Sequence, residues 1–441
     1  MNGIFFALVA ISFAIAGFRQ ISWNGPVGQG PMEMLGAAMI NAASGSVTLA
    51  IGLVGVMALF LGLMKVAEKG GLLIIIAKTL RPLMVRLFPD VPANHPAMGA
   101  IIMNISANAL GLGNAATPFG IRAMQQLDKL NPIKGTATNS MALFLAINTS
   151  SVTLLPTGVI AIRAAAGSMD PAGIVATTLF ATIISTTVAI IAVKFLEKRW
   201  SMATETGAQI ETPMTVDPPL EETSEESEQI LQKDNGEAYP TWISITALAS
   251  VIAMVPLTIL YGRSIAPWII PGIMISLLTF GMAKKVPVYE TFVEGAKDGF
   301  QVALRIIPYL VAILVAVGMF RASGAMDMII RPLSSVTNWF GLPAEALPMA
   351  LLRPLSGSGA YGIMASIIQD PNIGPDSYIG YLVSTFQGST ETTFYVLAVY
   401  FGAVGIRRIR HALVAALMAD VAGIAAAVLI VNWLYGPLGS G

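Results

Sequence analysis

Four polar runs in this chain are flanked on both sides by apolar residues. The first spans Asn104, Asn108, Gly111, Gly113, Asn114, Thr117 and Pro118. The second is Asn148-Thr149-Ser150-Ser151-Val152-Thr153. The third is Arg353-Pro354-Leu355-Ser356-Gly357-Ser358-Gly359, and the fourth is Gln387-Gly388-Ser389-Thr390-Glu391-Thr392-Thr393. Amides and hydroxyls donate and accept hydrogen bonds without carrying a fixed charge, so such runs can hold a small polar solute or replace part of an ion's hydration shell. The candidate binding residues are therefore Asn104, Asn108, Asn114, Thr117, Asn148, Ser150, Ser151, Thr153, Ser356, Ser358, Gln387, Ser389, Thr390, Glu391 and Thr392. The same hydroxyls could instead cap interrupted helices and glue them together. Glu391 is the sharpest of the set, because a carboxylate at bilayer depth marks a function or a partner. It could be a protonatable coupling group, a sodium ligand, or the ion-pair partner of Arg353 or Arg305. Asp420 is a second buried-acid candidate.

Other chemistries find little support. The 441 residues hold no cysteine, which excludes disulfides and thiolate metal sites. Gly357-Ser358-Gly359 could suggest an intramembrane serine nucleophile, but neither His95 nor His411 lies at its depth, and a pair of catalytic aspartates is lacking. No enzyme, metal or resident cofactor is expected, and Na+ or H+ coupling stays open. The bases are dispersed and do not alternate with aromatics, so no nucleic-acid partner is expected.

The elements that position these runs must lie in a membrane. The chain is 55% hydrophobic and 11% charged, with a mean hydropathy of +0.72, and a soluble protein of this length needs more charge to cover its surface. Nine spans are expected, at about 4–18, 46–64, 139–162, 172–195, 242–260, 266–282, 302–320, 378–401 and 411–434. Residues 96–127 and 346–368 are too interrupted to cross and are read as re-entrant helical hairpins. Residues 72–88 and 326–340 are read as helices lying in the interface. Residues 201–240 hold ten acids and one base and are read as a disordered linker.

The order span, interfacial helix, hairpin, broken span, span occurs twice. Thr149–Thr153 falls on Gly388–Thr392, and Arg81-Pro82-Leu83 is matched by Arg331-Pro332-Leu333. Each repeat crosses an odd number of times and an even number of helices joins them, so the repeats are inverted. Charge bias tests this: with the N-terminus inside, eighteen bases fall inside and six outside, the six being Arg19, Arg163, Arg263, Arg321, Arg331 and Arg353.

Residues Asn104 to Pro118 resemble the signature of bacterial spore maturation protein A. Arg353 to Gly359 and Gln387 to Tyr395 resemble that of spore maturation protein B. The chain as a whole looks like a fusion of the two. The resemblance implies an inner-membrane protein with two nucleoside-recognition (gate) domains, a class shared with concentrative nucleoside transporters, whose hairpins and broken helices form the substrate and sodium sites. It also implies a link to spore maturation.

The expected fold is thus an all-α polytopic membrane protein with two inverted repeats, re-entrant hairpins and broken transmembrane helices, similar to concentrative nucleoside transporters. Its parts are an N-terminal helix and loop (1–45), a first gate repeat (46–200), the acidic linker (201–240), a connecting helix pair (241–285) and a second gate repeat (286–441). The expected function is movement of a small polar solute across a bacterial inner membrane, with ion coupling open. The alternative is a membrane factor for spore or envelope maturation that transports nothing. The N-terminus and linker are expected in the cytoplasm and the C-terminus outside. The lipid bilayer and the solute are the expected partners, and a homo-oligomer is left open.

Overall fold

Apolar stretches of this length become helices, and several begin on a hydroxyl cap. The computed structural model describes residues 2–26, 28–200, 238–326, 328, 332 and 337–436. After α1 (Asn2–Ile21), the first repeat runs through α2 (Pro31–Lys69), α3 (Leu72–Leu87), the hairpin α4 (Pro96–Ala109) and α5 (Gly113–Lys129), the half-helices α6 (Asn139–Thr149) and α7 (Thr157–Ala165), and α8 (Ile174–Leu196). A connecting segment, α9 (Thr241–Ala283), follows. The second repeat has α10 (Val288–Ala322), the hairpin α11 (Leu347–Leu352) and α12 (Gly357–Ile368), the half-helices α13 (Tyr378–Ser389) and α14 (Thr393–Gly402), and α15 (Ala412–Tyr435). Among the described residues there is no strand, only an isolated bridge between Thr136 and Arg408. Most of the expected interfacial helix at 326–340, with Arg331, lies outside the described residues, as do residues 201–237 of the linker. Among the described residues, α2, α8 with the turn before it, and α15 are long and apolar enough to cross a membrane.

Both broken helices start on a hydroxyl cap. Thr138 Oγ1 accepts from the Met141 N–H at 3.2 Å, and Ser377 Oγ accepts from the Gly380 N–H at 3.0 Å. Each cap satisfies a helix-start donor that has no intrahelical partner.

The repeats are inverted, and the packing shows it directly. Equivalent helices lie antiparallel. In the α2–α10 pair, Gly62 meets Phe292, Gly299 meets Ala58, and Gly318 meets Ala42. In the α8–α15 pair, the Tyr435 hydroxyl donates to the Gly173 carbonyl, Ser185 Oγ donates to the Ala419 carbonyl, and Arg410 donates to the Trp200 carbonyl. The core divides into two layers accordingly. One joins α4 and α5 to α6, α14 and the start of α15, and the other joins α12 to α7, α13 and the end of α15. Each hairpin therefore sits in its own layer, at opposite ends of the bundle.

The α2–α10 contact depends on small residues, the usual means by which membrane helices approach closely. A Cβ on Gly299 would lie 2.6 Å from Ala58 Cα, and one on Gly295 would lie 2.5 Å from Lys65 Cβ. Gly299→Leu should force the pair apart and cost more than about 2 kcal/mol, as overpacking does, read as a lowered unfolding midpoint in detergent. Beyond this contact, Lys69 Nζ donates to Glu294 at 2.6 Å, and that bond holds the Glu294 carboxyl below its ordinary value.

Two expectations need correction. The boundary drawn at 45/46 falls inside α2, because residues 31–45 contain no residue that forces a stop and the helix simply begins earlier, at Pro31. The helix that carries the expected span at 302–320 likewise begins earlier, at Val288. At 39 and 35 residues, α2 and α10 are about 58 and 52 Å long, well beyond a hydrocarbon core of about 30 Å.

All 43 residues of α9 are helical, with no non-helical turn between the two spans expected there. A straight helix of that length would span about 64 Å. Yet the Tyr239 N–H, just before its start, donates to the Lys78 carbonyl, and Phe280, near its end, lies against Gly70. Lys78 and Gly70 are only eight residues apart across the start of α3. The run therefore turns back on itself, and both ends lie at the same end of the bundle, as a helix pair requires.

Candidate functional site

The two broken helices meet at their breaks. Residues 150–156 separate α6 from α7, and residues 390–392 separate α13 from α14. The Glu391 N–H donates to the Thr149 carbonyl at 2.8 Å, so a donor freed by one break satisfies an acceptor freed by the other. Each hairpin tip docks on the break of its own repeat: the Leu154 N–H donates to the Ala109 carbonyl (2.9 Å), and the Phe394 N–H donates to the Pro354 carbonyl (3.1 Å). At the first tip, Gly111 has φ +73° and the Leu155 carbonyl lies 2.4 Å from where a Cβ would stand, so only glycine fits.

Around this junction stand two amide–phenol groups. In the first, Asn148 Oδ1 accepts from Asn108 Nδ2 (2.9 Å) and from the Tyr400 hydroxyl (3.4 Å). Asn104 Nδ2 donates to the Ala116 carbonyl across the hairpin (2.7 Å) and to the Tyr400 oxygen (3.2 Å). Asn148 Nδ2 donates back to the Phe144 carbonyl, which fixes its orientation. In the second group, Gln387, the repeat counterpart of Asn148, lies beside the Tyr361 phenol. The two groups exchange partners. Tyr400 of α14 fills the space above Gly120 in the first hairpin, whereas Tyr361 of the second hairpin fills the space above Gly158 in α7. Asn104 Oδ1 and Gln387 Oε1 are buried acceptors without a protein donor, so each group keeps one open acceptor.

Arg353, at the second tip, is 3% exposed. Its guanidinium donates to the Gln387 carbonyl (3.2 Å), to Thr392 Oγ1 (3.0 Å) and to the Thr390 carbonyl. These bonds take the carbonyls released where α13 stops. Its contact with Glu391 is longer, 3.7 Å, and the Glu391 side chain is 55% exposed. Of the sequence alternatives for Glu391, the Arg353 partner is present as this long contact, and the side chain of Arg305 is outside the described ones. A 3.7 Å contact to a carboxylate this exposed contributes little, so Glu391→Gln should change stability by less than about 1 kcal/mol, checked by thermal unfolding.

Many of the expected site hydroxyls act as helix-end bonds. Ser150 Oγ donates to the Ala146 carbonyl, Ser151 Oγ to that of Asn148, Thr153 Oγ1 to that of Ser151, and Ser389 Oγ to that of Phe386. Ser356 Oγ accepts the Gly359 N–H and caps α12. Ser358 is exposed and Thr117 half-buried. Asn114 is the second residue of α5, but its side chain is outside the described ones. A cavity of about 420 Å³ between α2, α10 and the end of α12, lined by Asn41, Ser46, Arg321, Gln369 and Asp370, touches none of the expected site residues.

A family model described as "Gate: Nucleoside recognition" matches residues 50–169 and 303–407, which are the two hairpin-and-break units. The chain belongs to the Gate family. Spore maturation protein B of Bacillus subtilis (strain 168) is 51% identical over 167 residues, 38% of this chain and 93% of that protein. Spore maturation protein A of the same organism is 49% identical over 156 residues, 35% of this chain and 80% of that protein. The pair is consistent with a fused A/B arrangement of Gate units. The YdaH transporter of Alcanivorax borkumensis aligns over 98% of this chain and 97% of its own at 16% identity, with a TM-score of 0.43. Likeness at that level decides nothing about activity.

Each Gate unit also closes on the other through a buried arginine. Arg163, at the end of α7, is 0% exposed. It donates to the carbonyls of Pro375 (2.6 Å) and Asp170 (3.1 Å), to Ser168 and Ser384, and to Asp376 (3.0 Å) at the start of α13. Its guanidinium also lies 4.3 Å from the Tyr381 ring centre. At the opposite end Arg410, ahead of α15, donates to the Ala137 carbonyl and Asn139 Oδ1 at the start of α6. Arg163 and Arg353 are both buried in the protein, where interrupted helices leave carbonyls that need donors. His411 is also buried and stacks on Trp200.

Proposed function

We propose that this Gate protein moves a small polar solute across a bacterial inner membrane, through the junction where the two breaks meet. The observation that carries the reading is the Glu391–Thr149 backbone link between inverted repeats, flanked by amide–phenol groups with open acceptors. Non-helical backbone at bilayer depth is tolerated where it is buried in protein or lines a cavity, and in inverted-repeat transporters it forms the binding site. Open amide acceptors suit an uncharged solute that donates hydrogen bonds, and Na+ or H+ coupling is part of the proposal. The N-terminus, the linker and the Lys69 end of the bundle would face the cytoplasm, and the C-terminus would lie outside, in keeping with the bias of bases.

The test is thermal unfolding of the detergent-solubilised protein against nucleosides, nucleobases, sugars and amino acids, followed by uptake of any stabilising solute into proteoliposomes. A saturable rise in midpoint with uptake is expected. A panel with no shift and no uptake would instead favour a membrane factor for spore or envelope maturation, a reading suggested by the names of the two relatives.

A further inference from the structure

Next to the second break, bonded to Thr393, lies a carboxyl group that the junction does not use. Asp420 is 2% exposed and is the one acid among the buried polar side chains described. Its Oδ2 accepts from Thr393 Oγ1 at 2.6 Å, and its Oδ1 has no partner. Asp420 is the ninth residue of α15, roughly 13 Å along the helix, which is close to mid-bilayer.

The surrounding elements supply no counter-ion in contact with it. α15 packs against α8, α13, α6 and α14. Neither α6, α13 nor α14 carries a Lys, Arg, Asp or Glu, and their titratable groups are the phenols of Tyr378, Tyr381, Tyr395 and Tyr400. The charge on α8 is Lys194, near its far end and 3.5 Å from Glu197. Arg353 is the cation that Asp420 feels electrostatically. Its donors are committed to Gln387, Thr390 and Thr392, and Glu391 lies beside it. A bare carboxylate in such a place is costly.

We propose that the Asp420 carboxylate is a monovalent-cation site, taking a proton or Na+, with Thr393 Oγ1 as its second oxygen. For its consequence, coupling to solute movement, the inference rests on the transport reading; the binding itself does not. Thr393 is the first residue of α14 and follows the break directly. Arg353 grips residues 390 and 392 from the hairpin side, while Asp420 holds Thr393 from α15. Charge at Asp420 therefore sets how firmly the break is held between hairpin and bundle.

The test uses the full chain in detergent. Its unfolding midpoint is followed as Na+ replaces choline at fixed ionic strength and pH, and as pH varies from about 5 to 9, a range that brackets buried carboxyls and histidines, without Na+. Wild-type protein should show a saturable dependence on one of the two cations. Asp420→Asn should abolish that dependence, and Glu391→Gln should keep it. If Asp420→Asn does not fold, Thr393→Ala decides: it should shift the half-saturating cation concentration at least about tenfold, the scale of one lost charged hydrogen bond. Absence of cation dependence in the wild type, the same dependence in Asp420→Asn, or an unmoved half-saturation in Thr393→Ala would overturn the assignment. Na+ response and pH response separate the two cations. Cation dependence without any solute effect would sink the transport reading alone, and a solute effect without cation dependence would sink this one alone.

Discussion

Arg353→Ala is expected to lower the stability of the folded protein by about 3 kcal/mol or more, because removing one member of a buried charged network strands the others. Three acceptors depend on that side chain: the Gln387 and Thr390 carbonyls and Thr392 Oγ1. They belong to the segment where α13 ends, so no intrahelical N–H replaces the guanidinium. The tip would keep only the Phe394–Pro354 backbone bond to the break. Arg353→Lys should recover less than half of the loss, since an ammonium lacks the planar fork that reaches acceptors on separate residues. Thermal unfolding in detergent gives both values. The contrast with Glu391→Gln is the informative comparison. If the two residues mattered chiefly as an ion pair, their losses would be equal. If Arg353 acts as a cap for the break, Arg353→Ala will be far worse. The 3.7 Å separation and the exposed Glu391 carboxylate favour the second outcome.

Much of this arrangement is legible in the sequence, for a physical reason. Backbone polar groups cannot be left bare in a bilayer, so clusters of Asn, Ser, Thr and Gly within apolar stretches mark interrupted helices by residue type alone. Asn148 and Gln387 can be placed as counterparts, and the parity of crossings forces the inversion that the antiparallel α2–α10 and α8–α15 pairs display. What stays hidden depends on side-chain direction. Nothing in the sequence singles out Tyr400 and Tyr361, and only packing reveals that each fills the space above a glycine of the other repeat. Charge counting assigns Arg163 and Arg353 a side of the membrane, but it cannot tell a base that meets headgroups from one that meets freed carbonyls. Glu391 draws attention as the sole acid of the broken spans, while the acid that is buried is Asp420, in an otherwise uninterrupted helix.

Arg163→Gln should open one end of the bundle without opening the other. Arg163 ties the end of α7 and the 168–170 loop to the start of α13, and Asp376 answers from the other repeat, accepting from Arg163, Ser168 and the Met169 N–H. The chain has no cysteine, so a single introduced thiol is an unambiguous reporter. Ser384 is buried and accepts from Arg163 at 3.3 Å, which places a Ser384→Cys thiol directly under the clasp. Charged hydrogen bonds of about 1.5–3 kcal/mol each hold it closed, so losing even one should raise the maleimide labelling rate by about tenfold or more through local opening. Arg410→Gln, which loosens the start of α6 at the opposite end, should leave that rate unchanged. A general loss of packing would raise labelling in both variants alike. Unequal labelling would mean that the two ends open independently, as two separate arginine clasps on inverted repeats require, whereas equal labelling would reduce Arg163 to a contributor to global stability.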